Sequence, residues 1–161
     1  MKTRSLLDSL SALLRNLIRP HSPRETQPAK VVFDTNIIVA AITNPGGASG
    51  YLLNEAVAGS KIRMCVSPGI LREYEIILKS FRFALKQQQG AESFLKVLKN
   101  ASLVVHPQTK IYKIQADKSD NKFLECAVQA KAGYLVTSDK HFNFRHYRDV
   151  AIVRSTELEK I

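Results

Sequence analysis

Four acidic residues stand where a carboxylate costs free energy unless something positive meets it. Asp34 interrupts the apolar run VVFDTNIIVAAI, and Asp139 ends YLVTSD. Asp120 opens the helical stretch DNKFLECAVQAKAG, and Glu73 lies in the first turns of SPGILREYEIIL. In an open α/β sheet the working crevice lies beyond the carboxyl ends of the strands, so four acids at such places can gather along one edge. Clustered carboxylates repel one another, and a hard divalent cation with oxygen ligands relieves the repulsion. No histidine accompanies them at ligand spacing, which argues for Mg²⁺ or Mn²⁺ rather than zinc. In a basic protein such a site suits phosphodiester hydrolysis, because a divalent cation activates water and stabilises the leaving oxygen while Lys and Arg hold the phosphate backbone.

Each acid also has a plainer reading. Asp34 and Asp120 fit helix N-caps, and Asp139 followed by Lys140 fits a turn. Glu73 and Glu75 both flank the apolar face made by Ile70, Leu71, Tyr74, Ile77 and Leu78, and helical spacing does not choose between them.

The elements that must position these residues alternate from Lys30 onward. KVVF, KIRMCVS, SLVVH, YLVTSD and VAIV read as strands. TNIIVAAI, YLLNEAVAG, PGILREYEIILKS, DNKFLECAVQAKAG and STELEKI read as helices. Ser67 and Pro68 supply an N-cap and a first-turn proline. NPGGASG reads as a loop, Gly59 and Gly133 as helix stops, and the polar stretch from Phe83 to Asn100 as a helix broken or bent near Gly90. Near-continuous apolar strands alternating with helices predict an α/β fold, a three-layer α/β/α arrangement around a central, mostly parallel sheet.

Residues 1–29 differ in character. MKTRSLLDSLSALLRNLIRP carries Leu6, Leu7, Leu10, Leu13, Leu14, Leu17 and Ile18 at helical spacing, with Arg4, Arg15 and Arg19 off that stripe. The polar, Pro-containing HSPRETQPAK that follows reads as a linker. The expected organisation is therefore an amphipathic helix and linker over 1–29 and a folded domain over 30–161. The helix could pack on its own domain or a second copy, bind a partner, touch a membrane or act in targeting.

Across the 161 residues, 24 Lys and Arg against 14 Asp and Glu give a formal charge of +10, which favours a polyanionic partner. No apolar run approaches the roughly 18 residues of a membrane span, so stable insertion is not expected. Cys65 and Cys126 sit in apolar stretches without CxxC spacing, as buried reduced thiols of a cytoplasmic protein would.

VVFDTNIIVAAI, VSPGILREYEIIL and DKSDNKFLECAVQAKAGYLVTSDKHF, in that order, resemble the PIN-domain ribonucleases, in particular the branch of toxin components of bacterial toxin-antitoxin pairs. The resemblance spans about Val31 to Glu157. It implies a metal-dependent endoribonuclease with Asp34, Glu73, Asp120 and Asp139 as catalytic acids, and Asp34, Asp120 and Asp139 as ligands of Mg²⁺ or Mn²⁺. Asn36, Ser138 and Asp117 match supporting positions, while Ser119 stands where the family often has another acid. It further implies RNA as substrate and a small antitoxin whose tail puts a basic side chain into the acidic cleft; a homo-oligomer, most simply a dimer, is expected with the N-terminal helix as its device. Arg72, Lys118, Lys122, Lys140 and Arg145 are candidate RNA contacts; His141, His146 and Arg148 lie nearby, and Phe142, Phe144 and Tyr147 could stack on bases or belong to the core.

Two rivals remain. A phosphatase with a strand-end Asp nucleophile wants a second Asp two residues on, where this chain has Asn36. A catalytically silent RNA- or protein-binding module on the same fold is the other.

Overall fold

The structure is a computed structural model that describes residues 27–80 and 88–160. The expected amphipathic helix, and residues 81–87 of the polar helix, lie outside the described residues.

Six strands form one sheet: β1 (Ala29–Phe33), β2 (Ile62–Val66), β3 (Leu103–Val104), β4 (Tyr134–Val136), β5 (His146–Tyr147) and β6 (Val150–Val153). Their order is β3-β2-β1-β4-β6-β5. All neighbours pair in parallel except β5, which forms an antiparallel hairpin with β6. The helices are α1 (Thr35–Thr43), α2 (Ala48–Ala58), α3 (Pro68–Ser80), α4 (Gln88–Ala101), α5 (Asn121–Ala130) and α6 (Ser155–Leu158), with a single 3₁₀ turn at Lys118–Asp120. The three-layer, mostly parallel α/β fold expected from the alternation is the fold observed.

The strands that read as unbroken apolar runs are the ones in the middle. Val31, Val32 and Phe33 of β1 and Leu135 and Val136 of β4 are completely buried. They are joined by Cys65 and Val66 of β2, Ile70 and Tyr74 of α3, and Phe123 and Leu124 of α5. Burying each such side chain stabilises the fold by roughly 1.5–3 kcal/mol. Both cysteines are free and buried, and burial pushes the Cys126 thiol up to about 12.

Two boundaries depart from the expected ones. Ala48, Ser49 and Gly50, expected in the loop, open α2, where a Cβ on Gly50 would stand 2.2 Å from the carbonyl oxygen of Pro45. Only glycine permits that approach of backbone to backbone. α5 ends not at Gly133 but at Ala130, with Lys131 in the left-handed conformation at φ 51°.

The strand order fixes where a site can form. β1 is followed in space by β2 and β3 on one side and by β4 on the other, so the order in which strands are added across the sheet reverses between the parallel neighbours β1 and β4. The carboxyl ends of two strands flanking such a reversal open the crevice in which α/β sheets bind ligands. Asp34 follows β1 directly, and Asp139 lies three residues beyond β4.

Candidate metal centre

Asp34 sits at the N-cap position of α1, yet its side chain makes no capping bond. Its carboxylate instead accepts a 2.5 Å hydrogen bond from the Thr137 hydroxyl across the β1–β4 seam, and its backbone N–H donates to the Val136 carbonyl at 2.9 Å. The residue is buried, and burial raises its carboxyl from 3.8 to about 6, helped by the nearby charges of Asp120 and Asp139 and opposed by Thr137. An acid placed so is not spent on a helix end.

Asp120 is likewise free of capping duty. It precedes α5 with helical backbone angles and no side-chain cap bond, while Asp117 caps the preceding 3₁₀ turn by accepting from the Ser119 N–H at 2.9 Å and its hydroxyl at 2.7 Å. Burial, and then the charges of Asp117 and Asp139, push the Asp120 carboxyl above its ordinary value. Those Ser119 hydrogen bonds hold the exposed Asp117 below its ordinary value. Asp139 does take part in its turn: it accepts the His141 backbone N–H at 2.9 Å, and its own N–H donates to the Thr137 hydroxyl at 2.9 Å. One threonine thus ties Asp34 to Asp139.

His141 corrects the expectation that no histidine accompanies these carboxylates. The turn after β4 folds its ring back, so that Nδ1 lies 3.2 Å from Asp120 and 3.5 Å from Asp139. One ligand atom from each of Asp120, Asp139 and His141 falls within 4.8 Å of the others. Two oxygens and a nitrogen so placed are a donor set that a divalent transition ion accepts.

Glu73 belongs to a different neighbourhood. It accepts a hydrogen bond from the Thr35 hydroxyl and pairs with Lys122 of α5. Glu75, the alternative that helical spacing left open, is exposed and pairs with Lys79 at 2.7 Å. The next residue along α3 from Glu73, Tyr74, is fully buried and donates its hydroxyl to the Phe33 carbonyl, one residue before Asp34. α3 therefore clamps the end of β1 while turning Glu73 toward the first turn of α1.

The other singled-out residues divide clearly. Asn36 is partly exposed, but its Oδ1 is buried and without a hydrogen-bond partner among the described residues. Ser138 is exposed, and only its carbonyl is engaged, by Arg154 at 3.3 Å. Thr137, passed over in the sequence, makes the contacts a supporting hydroxyl would make; it stands two residues before Asp139, the period that returns an extended chain to the same face. Arg72, Lys118, Lys140 and Arg145 are exposed, whereas Lys122 is engaged with Glu73. Phe142 is buried, and Phe144 and Tyr147 are partly buried against the core, so these aromatics serve packing first. Beyond Asp139, a cavity of about 190 Å³ is lined by Thr137, Phe144, Arg145 and Arg154 among others.

Comparison with known proteins bears on the fold and the family. An uncharacterized protein of Methanocaldococcus jannaschii is 32% identical over 113 residues, covering 69% of this chain and 71% of that one. A chain in the crystal structure of VapBC2 from Rickettsia felis, bound to a DNA fragment from their promoter, superposes with a TM-score of 0.53 at 16% identity, over 76% of this chain and 96% of that one; it shares the fold. Residues 30–141 match the PIN domain family, and with the reversal point, the strand-end acids and that match in agreement, the chain belongs to the PIN-domain family.

Proposed function

We propose that the protein is a divalent-metal-dependent endoribonuclease that hydrolyses RNA phosphodiester bonds. The observation that carries this reading is the gathering of Asp120, Asp139 and His141 within 4.8 Å of one another, next to Asp34 at the β1–β4 switch point, with protonation of Asp34 and Asp120 favoured by burial and by neighbouring carboxylates. In this reading Asp34, Asp120 and Asp139 hold Mg²⁺ or Mn²⁺. The bound ion supplies activation of water and neutralises charge at the phosphate. Thr137 orients Asp34, the unpartnered Oδ1 of Asn36 accepts from a water or a ribose hydroxyl, and Glu73 keeps Lys122 at the rim. Arg72, Lys118, Lys140 and Arg145 hold the phosphate backbone, a role that the charge of +10 supports.

The biological role we assign is that of a toxin component held by a small antitoxin, in a cytoplasmic homodimer, with the PIN domain over 30–161 and residues 1–29 apart from it. The likeness of fold to a chain of VapBC2 from Rickettsia felis supports this role. Cleavage of labelled single-stranded and structured RNAs in Mg²⁺, Mn²⁺ or EDTA tests the activity, beside Asp34→Asn and Asp120→Asn. Cutting that needs metal and vanishes in both variants is expected. RNA bound but uncut under either metal would overturn the nuclease in favour of a silent binding module.

A further inference from the structure

We infer that His141 is a nitrogen ligand of this centre and makes it prefer Mn²⁺ over Mg²⁺. The inference deepens the nuclease reading and rests on its metal site. Its basis is the spacing. Ligand atoms about 2.1 Å from one ion stand about 3.0 Å apart along an octahedral edge and about 3.4 Å apart along a tetrahedral one. His141 Nδ1 lies 3.2 Å from Asp120 Oδ2, a hydrogen bond, and 3.5 Å from Asp139 Oδ1, spacings that an ion can bridge once it takes the place of the shared proton.

The approach is built rather than incidental. The His141 backbone N–H is bonded to the same Asp139 oxygen that its ring faces, so ring and carboxylate come from one rigid turn. Thr137 holds the start of that turn through the Asp139 N–H. The His141 side chain is 33% exposed and that of Asp120 is 14% exposed, which leaves one side of the cluster open to water and substrate. Lys122, a cation close enough to influence Asp120, is paired with Glu73 and does not fill the position between Asp120, Asp139 and His141.

Chemistry then separates the ions. Mg²⁺ demands oxygen ligands in near-ideal octahedral geometry and keeps several waters, whereas imidazole suits the transition ions. A nitrogen in the first coordination sphere favours Mn²⁺ over Mg²⁺, and an all-carboxylate site lacks that bias.

The test is a titration of the full chain with Mn²⁺, free ion being read by electron paramagnetic resonance and Mg²⁺ by competition. Wild type, His141→Ala and the exposed control Lys96→Ala are compared. Removing even an outer-shell partner of a metal ligand costs about 10–100-fold in affinity, so His141→Ala is expected to weaken Mn²⁺ by at least about tenfold and Mg²⁺ far less. Lys96→Ala should leave the ratio of the two affinities as in wild type. Pulsed resonance on wild-type protein gives a check that needs no variant: a nitrogen hyperfine coupling on bound Mn²⁺ is expected. Unchanged Mn²⁺ affinity in a folded His141→Ala, equal weakening of both ions, or no nitrogen coupling would overturn the inference and leave the carboxylate site standing. Failure of wild type to bind either ion would bring down the nuclease reading as well.

Discussion

The acidic row has two ends that solve the same problem differently. At the Glu73 end the protein supplies its own cation: Lys122 pairs with the carboxylate, and the Thr35 hydroxyl donates to it. At the Asp34 end the Thr137 hydroxyl holds that carboxylate while Asp120 and Asp139 gather with His141 nearby, and burial together with neighbouring negative charge raises the carboxyls of Asp34 and Asp120. Buried charge without a partner is expensive, and a fold keeps it where something from outside completes it. The contrast separates an acid already paired with a cation inside the fold from acids that are not.

Breaking the Asp34 end should have the largest effect. Asp34→Asn keeps the shape and can still accept from Thr137, but it removes the charge; RNA cleavage is expected to fall by at least about 100-fold, the upper range seen when even the support of a metal ligand is lost. Circular dichroism should show an unchanged fold. Loss of structure instead of activity would mean that Asp34 serves the fold and not the chemistry.

Acidity sharpens the same comparison. The unfolded chain releases the Asp34 proton near 3.8 and the folded, metal-free protein near 6. Between these values the folded state binds more protons, so stability is highest below the unfolded value and falls as pH rises through the window, by roughly 3 kcal/mol for this residue. Urea unfolding in EDTA from pH 3.5 to 7 should show that decline in wild type and lose most of it in Asp34→Asn.

Added cation should then restore what the pH removes. At a concentration about 100 times the dissociation constant, a ligand specific for the folded state stabilises it by about 2.7 kcal/mol. Thermal unfolding at pH 7 is expected to show such a gain with Mn²⁺ in wild type, most of it kept in Glu73→Gln and most of it lost in Asp34→Asn. Equal loss in both variants would erase the distinction between the two ends.

The smallest effect belongs to the internal pair. Lys122→Met and Glu73→Gln should each cost about 1 kcal/mol, and the double variant should cost less than the two together, because the pair is partly exposed and each partner matters mainly to the other. A double-mutant cycle by urea unfolding measures that coupling.

Much of this was legible in the chain. An apolar strand that ends in Asp34, followed at once by a helix pattern, already placed a carboxylate at a strand's carboxyl end. Ser67 and Pro68 marked the start of α3 correctly, and the Ser67 hydroxyl accepts the Ile70 N–H at 3.3 Å. What could not be read was lateral. Strand order decides that β1 lies beside β4, and only that adjacency brings Thr137 to Asp34. Lys122 meets Glu73 across two helices, and nothing local at either residue announces it. His141 looked remote from Asp120 because sequence spacing says nothing of a turn that folds a ring back over its own strand. The β5–β6 hairpin was missed because its first strand has two residues and its turn uses Arg148 at φ 53°, a conformation that residue types rarely declare.

The seam between β1 and β4 also has a consequence in time. Asp34 and Thr137 are 103 residues apart in the chain, and the strands that carry them are neighbours. At roughly 5–20 residues per second, a ribosome finishes Asp34 some 5–20 s before it reaches the hydroxyl and the second carboxylate that complete the cluster. A nascent chain therefore carries its first acid unarmed for most of its own synthesis, and whatever the finished edge can do begins only once nearly the whole domain has been made.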